Sequence, residues 1–332
     1  MTEAHHPISR RAALALGGAG VATPALAPDA WAQWQPAQPI RILIGYPPGG
    51  AVDVLVRIVA EAASRIRSVQ IIPEVRSGAY GFLAAQGAAR ATPDGTTLCS
   101  AIMGMMSVLP EIPGVPVPLD LDKEIVPVAA LAGTPMAMVA RPDAPFSDLD
   151  GLIAYAREKR GAATYASSGN GSTNHLGAAL FAQITGVEMT HIPYRGGAPA
   201  TLDVSAGRVD IMVANVAEIA SQVADGRLKA LGVTSATETS MLPGATPIAA
   251  RFPQMEINNW FGLGGPAGLP PAVREGLGQM FAAIVSEPAT REALLRRGLE
   301  PLPEYGAAFE NRIRADRQKW RGVIRAANIR GD

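Results

Sequence analysis

The chain has 332 residues, and its 29 Lys and Arg balance its 29 Asp and Glu. Hydrophobic residues make up 48% and charged residues 17%, which excludes a disordered chain, and zero net charge argues against a sequence-independent grip on nucleic acid or an anionic membrane. One cysteine excludes an intrachain disulfide framework and a Cys-rich zinc module, and at about 150 residues per domain the length fits two domains.

The first 32 residues read as an export signal rather than as part of the fold. Arg10 and Arg11 precede the short apolar run from Ala12 to Leu16, and Ala30-Trp31-Ala32 places small residues at the −3 and −1 positions of a cleavage point. The apolar stretch is far shorter than the ~20 residues that span a bilayer. The paired arginines suit the twin-arginine route, with general secretion as its competitor. Cleavage near Ala32 leaves a periplasmic chain whose remaining histidines are His175 and His191.

Past the leader, Pro39 to Tyr46 has a buried-strand pattern that ends in Pro47-Pro48-Gly49-Gly50. A helix from Ala51 carries Val52, Val56, Val59 and Ala63 on one face. Strand 69–73, a glycine turn at Gly78 and Gly81, a second helix toward Arg90 and a strand holding Cys99 follow. This β-α-β-α-β alternation predicts a mostly parallel sheet with helices on its faces. Pro110 to Pro127 reads as irregular, and a strand from Pro135 to Ala140 opens a second α/β unit. That unit holds a helix over 149–159, a strand ending in Ser167-Ser168-Gly169-Asn170-Gly171-Ser172, and a helix over 173–185. Strands over 188–193, 209–213 and 230–234 complete it, with helices near 198 and 216–223 between them. Helices over 271–285 and 288–297 and a charged amphipathic helix over 305–327 close the chain.

Both halves repeat one local design, an apolar strand running through a Gly/Ser turn into a helix. The first helical turn leaves N–H groups unpaired, and with the helix dipole they suit a carboxylate or phosphate. A neutral protein can therefore bind an anion between two such ends. Neither turn is a P-loop, since no Gly-Lys-Ser/Thr follows, and Gly262 to Ala267 fits a dinucleotide fingerprint only superficially, with Pro266 where a helix would begin. No His/Cys/Glu cluster has metal-ligand spacing and no Gly-x-Ser-x-Gly turn occurs. No cofactor or metal is expected.

Seven stretches in order, "PIRILIGYPPGGAVDVLVRIVAE", "ATPDGTTL", "YASSGNGSTNHLGAALF", "HIPYRGGAPA", "GRVDIMVAN", "DGRLKALGVTS" and "WFGLGGPAGLPP", resemble the extracytoplasmic solute receptors of tripartite tricarboxylate transporters, the Bug-type receptors. The resemblance implies an α/β, two-lobed, type II-like periplasmic binding protein of the Venus-flytrap kind, with two crossing hinge segments. It implies lobe one from 38–133 plus 260–332 and lobe two from 134–259. It also implies a monomeric, non-enzymatic receptor that holds a small organic carboxylate and delivers it to the permease subunits. A membrane sensor as the reader of the closed form, or an exported hydrolase using the same cleft, are the rivals. Carried onto this chain, the ligand residues are Tyr46, Gly49, Gly50, Ala51 and Asp53 in the first lobe. Ser168, Asn170, Ser172, Thr173, His175 and Asn215 face them from the second. Three positions depart from the pattern. Ala214 stands where some relatives carry an aspartate that meets a ligand amino group, which points away from an amino acid. Tyr80 makes the rim bulkier, and Met103, Met105 and Met106 suit either an apolar ligand body or the core.

Overall fold

The structure is a computed structural model that describes residues 38–194 and 196–331, together with Met1, Thr2 and Pro36. The expected export segment, with Arg10, Arg11 and the cleavage point at Ala32, lies outside the described residues, as does Arg195 of the second glycine turn.

Ten strands are present among the described residues: β1 Ile40–Ile44, β2 Ile71–Val75, β3 Thr97–Ile102, β4 Ile125–Ala140, β5 Thr164–Ser167, β6 Thr190–Pro193, β7 Ile211–Asn215, β8 Lys229–Val233, β9 Asn258–Pro266 and β10 Glu300–Tyr305. They form one sheet in the order β2-β1-β3-β9-β4-β7-β5-β6, with β8 and β10 also pairing to β4. β1 runs parallel to β2 and β3, and β5 runs parallel to β6 and β7. The two parallel sets are joined by antiparallel pairs through β9 and β4, so the sheet is mixed rather than mostly parallel.

The helix Ala51–Arg67 forms because Val52, Leu55, Val56, Val59, Ala62 and Ala63 recur at helical spacing and are all buried. Asp53 in its first turn and Arg65 and Arg67 in its last complement the helix dipole.

β4 corrects the sequence reading, which left 110–127 irregular and began a strand at Pro135. It is continuous over 16 residues, with Pro127 and Pro135 inside it. The prolines are tolerated because the register against β9 shifts between Pro127 and Ala129, and because β4 changes partners just past Pro135. Residues from Ile125 to Pro135 pair with β9, whereas Met136 to Ala140 pair with β7 and β8. One strand thus carries the chain from one half of the sheet to the other. β10 was also unforeseen: Pro301 and Pro303 hide a strand that pairs with β4 through a bulge between Pro301 and Glu304, and the last helix begins after it, Gly306–Ala326.

The glycines of the superficial dinucleotide fingerprint lie in β9, where they serve packing. A Cβ on Gly262 would sit 2.4 Å from the Ala129 carbonyl oxygen. Cys99 is fully buried, and burial pushes its thiol pKa up to about 12, so it is a core residue. Trp260 packs edge-on against Phe309 of the last helix and donates from Nε1 to Asp316 Oδ2 at 2.7 Å.

Candidate functional site

The sharpest local construction is the turn after β5. Ser172 caps the 13-residue helix Thr173–Thr185, its Oγ accepting the His175 N–H at 3.3 Å. Gly169 and Gly171 adopt φ of 131° and 71°, which lets the turn close on itself. Ser168 Oγ donates to Asn174 Oδ1, and Asn174 Nδ2 donates to the Val213 carbonyl at 2.8 Å, tying the turn to β7. At Gly171 a Cβ would lie 2.3 Å from Ile112 Cδ1, so this second-half loop is seated against the first half of the chain.

His175 sits behind that loop. Its Nδ1 accepts the Gly171 N–H at 3.2 Å, so in the neutral ring Nε2 carries the proton. Its ring stacks on His191 with centroids 3.7 Å apart, and His191 stacks in turn on Tyr165 at 5.0 Å. Burial, reinforced by His191, lowers the His175 pKa to about 3. The residue is therefore a neutral, 6% exposed support for the loop rather than a cation offered to a ligand.

In front of the loop lies a cleft of about 620 Å³. Ser168 to Thr173 form one wall, Tyr46 and Tyr80 lie across it, and Ile102, Gly104, Met105 and Leu109 make an apolar part of the lining. Tyr194 and Asn259 complete the polar part, and Pro193, paired with Ser167 in the β5–β6 ladder, lies on the side of the loop. Met105 is placed by a single π-helical turn over Gly104–Val108, a rare geometry that recurs at functional sites. It is also fully buried, as Met103 and Met106 nearly are, so the methionines serve the core and back the apolar part of the cleft.

The rim opposite the loop is strained. Ala79 and Tyr80 have φ of 46° and 55°, which costs L-residues of order 1 kcal/mol each. Tyr46 holds them, its hydroxyl donating to the Tyr80 carbonyl at 2.9 Å. Gly81, at φ 94°, leaves room for that ring, since a Cβ there would lie 2.8 Å from the Tyr46 oxygen.

The other residues of the first loop lie elsewhere. Gly49, Gly50 and Ala51 line a second cleft of about 650 Å³, shared with Glu218, Met241 and Arg297. Asp53 is buried and committed to its own helix, accepting the Gly49 N–H at 2.9 Å and the Arg57 guanidinium at 3.0 Å. Its pKa is held low by Arg57 first, with help from Gly49. Asn215 stands between the two clefts: Nδ2 donates to Glu218 Oε1 at 2.8 Å, and Oδ1 accepts from Asn259 Nδ2 at 3.2 Å.

Of the residues named from sequence, the structure thus brings Tyr46, Ser168, Asn170, Ser172 and Thr173 together at one cleft. It puts Gly49, Gly50 and Ala51 at another, and Asp53 and His175 behind their loops. Sequence reasoning missed Asn259, Tyr194 and Leu109. For Asn259 the signal was the amide pair Asn258-Asn259 ahead of the apolar run Trp260-Phe261. Among the described residues no group of three His, Cys, Asp or Glu side chains could hold a metal ion, and no helix is long and apolar enough to cross a membrane.

Residues 55–329 match the family described as the tripartite tricarboxylate transporter family receptor. The chain belongs to this family. The receptor is 33% identical over 291 residues to the "UPF0065 protein in tcbD-tcbE intergenic region" of Pseudomonas sp. (strain P51), covering 87% of this chain and 86% of that one. It is 29% identical over 321 residues to protein BugT of Bordetella pertussis, covering 94% and 96%. Among solved structures it is similar to R. palustris Rpa4515 with adipate, at a TM-score of 0.77 and 28% identity over 89% of this chain and 99% of that one. The fold is that of the periplasmic binding proteins, and the family is one of solute-binding receptors.

Proposed function

We propose that this receptor is exported, captures a small organic carboxylate in the Ser168–Thr173 cleft, and hands it to a tripartite tricarboxylate-type permease. The observation that carries the ligand class is the helix start at Ser172. Its oxygen already accepts the His175 N–H, so its hydroxyl proton is left to donate outward. The first-turn N–H groups and the positive end of the dipole point the same way, toward a space lined by the loop itself. The similarity to a protein solved with adipate supports the same class.

The apolar lining from Ile102, Met105 and Leu109 suits a carbon body between or beside the charged ends. Residues 38–133 with 260–332 would form one lobe and 134–259 the other, joined where β4 changes partners and where β9 begins. A ligand that bonds to both lobes favours the closed form, and a shift from about 1:99 to 99:1 needs ~5.5 kcal/mol of preference. Charge-assisted bonds of ~1.5–3 kcal/mol make two or three cross-cleft contacts enough.

Calorimetric titration of wild type and Ser172→Ala with adipate, succinate and phenylacetate tests the reading. The variant is expected to bind at least about tenfold more weakly, beyond the ~1 kcal/mol of stability that losing a cap removes. Level affinity in a folded Ser172→Ala protein would take this helix start out of the site.

A further inference from the structure

Gly78 to Gly81 make a tight turn between β2 and the helix Phe82–Ala89, closed by the Gly81 N–H on the Gly78 carbonyl at 3.0 Å. Its two central residues, Ala79 and Tyr80, both have positive φ, the type I′ arrangement that glycine and asparagine fill most readily. An alanine and a tyrosine there break the local rule, and the Tyr46 hydroxyl, donating to the Tyr80 carbonyl, holds the chain in the strained form. Strain of this kind gathers at ligand clamps, where it is kept for what it positions.

What the turn positions is the Tyr80 ring. Tyr80 lines the cleft and is 62% exposed, more than the main chain of a tyrosine can supply, so the ring itself is open to solvent. Of the other large apolar or aromatic residues in the lining, Met105 and Leu109 are buried, and Tyr46, Ile102 and Tyr194 are half-buried. Among the described residues no aromatic ring or cation packs on Tyr80. A carboxylate held at the Ser172 helix start extends its carbon body across the cleft, toward the wall on which the fold leaves this ring uncovered.

We propose that Tyr80 is a specificity-determining residue whose ring stacks on the body of the bound acid, so that the receptor favours a carboxylate with a flat, aromatic body over its saturated counterpart. This rests on the carboxylate reading above and adds to it the chemistry of the ligand beyond the carboxylate. Paired aromatic rings gain more than the area they bury, whereas a saturated ring buries as much apolar area without that gain. A cleft that selected by apolar area alone would therefore not prefer the flat acid. Tyr46 is a positioning residue for this preference, acting through the Tyr80 carbonyl.

The test titrates wild type, Tyr80→Gly, Tyr80→Phe and Tyr46→Phe calorimetrically with flat and saturated pairs: phenylacetate and cyclohexylacetate, benzoate and cyclohexanecarboxylate, benzene-1,4-dicarboxylate and trans-cyclohexane-1,4-dicarboxylate. For the best-bound pair, wild type is expected to favour the flat acid by about fivefold, the weight of one aromatic contact. The ratio is expected to persist in Tyr80→Phe, which keeps the ring, to fall in Tyr46→Phe and to collapse toward one in Tyr80→Gly. Glycine takes φ 55° freely, so Tyr80→Gly should melt no lower than wild type. A lower melting temperature with an unchanged ratio would make the ring a structural prop and overturn the proposal. Should Tyr80→Gly fail to fold, Tyr80→Asn, which tolerates the same φ, takes its place. Equal or tighter binding of the saturated member of every pair by wild type overturns the role of Tyr80 while leaving carboxylate capture standing, as does binding of adipate or succinate with no ring acid bound. No binding of any acid by folded wild type removes the carboxylate reading and this inference with it.

Discussion

The stacked pair His175 and His191 makes the protein's stability depend on pH in a way that can be worked out in advance. In the folded chain His175 stays neutral until about pH 3, whereas in the unfolded chain it takes a proton near its usual 6.5. Between these values the unfolded state binds the extra proton. The stability contributed by keeping the ring neutral is therefore complete above pH 6.5 and is lost as pH falls from 6.5 toward 3. One proton is worth about 1.4 kcal/mol per pH unit, so lowering the pH from 7 to 4.5 should remove roughly 2.5 kcal/mol through this residue alone. Carboxyl groups titrate in the same range with mixed signs. Burial raises the pKa values of Asp316 and Glu218, while hydrogen bonds hold those of Asp53 and Glu287 low. The difference between wild type and His175→Gln removes those shared contributions, and glutamine can still accept the Gly171 N–H. Urea unfolding of both proteins at several pH values between 7 and 4.5 is the assay. The variant should be less stable at pH 7, because the ring stack is gone, and should lose about 2.5 kcal/mol less on acidification. Parallel loss in the two proteins would mean that His175 is not held neutral by its surroundings.

The loop in front of it can be tested by sterics. Gly171→Ala forces an L-residue to φ 71° with its Cβ 2.3 Å from Ile112 Cδ1, so it should destabilise by about 1–3 kcal/mol. Adding Ile112→Ala should relieve the clash but not the φ cost, and because losing the buried Ile112 side chain is itself destabilising, thermal unfolding of Gly171→Ala, Ile112→Ala and the double variant in one cycle isolates the relief. At the N-terminus, replacing Arg10 and Arg11 by lysines should leave precursor in the cytoplasm if the twin-arginine route is used, as cell fractionation reports. Normal export of that variant would favour general secretion. Gly50→Val should change ligand affinity if this loop closes onto the ligand; Gly50 has φ −73° and ordinary room for a side chain, so a folded variant with unchanged titration would confine the Gly49–Ala51 cleft to another role.

The parts legible from sequence were those governed by local rules. The helix Thr173–Thr185 was readable because Ser172 caps it and Leu176, Leu180 and Phe181 recur on one face, and the structure gives it the same limits. The helix Leu149–Lys159 was readable for the same reason, with Asp148 accepting the Gly151 N–H at its start. β4 and β10 were obscured because proline normally argues against a strand, and only long-range pairing with a shifted register shows where it is tolerated. In the site, the Ser168–Thr173 loop was visible in its own residues. What could not be read was which loops share a cleft. Tyr46 reaches the Ser168 side while Gly49 and Gly50, only three and four residues on, face Glu218. Asn259 escaped for a related reason, since its place on the cleft lining depends on the long-range pairing of β9 with β4.

The most direct test of the account is a crystal structure of the receptor with its best-bound carboxylate. The account predicts one carboxylate group within hydrogen-bond distance of the Ser172 hydroxyl and the first N–H groups of the helix Thr173–Thr185, with the ligand body against Ile102 and Tyr46. A carboxylate seated wholly in the Gly49–Ala51 cleft, with the Ser168–Thr173 loop untouched, would contradict it.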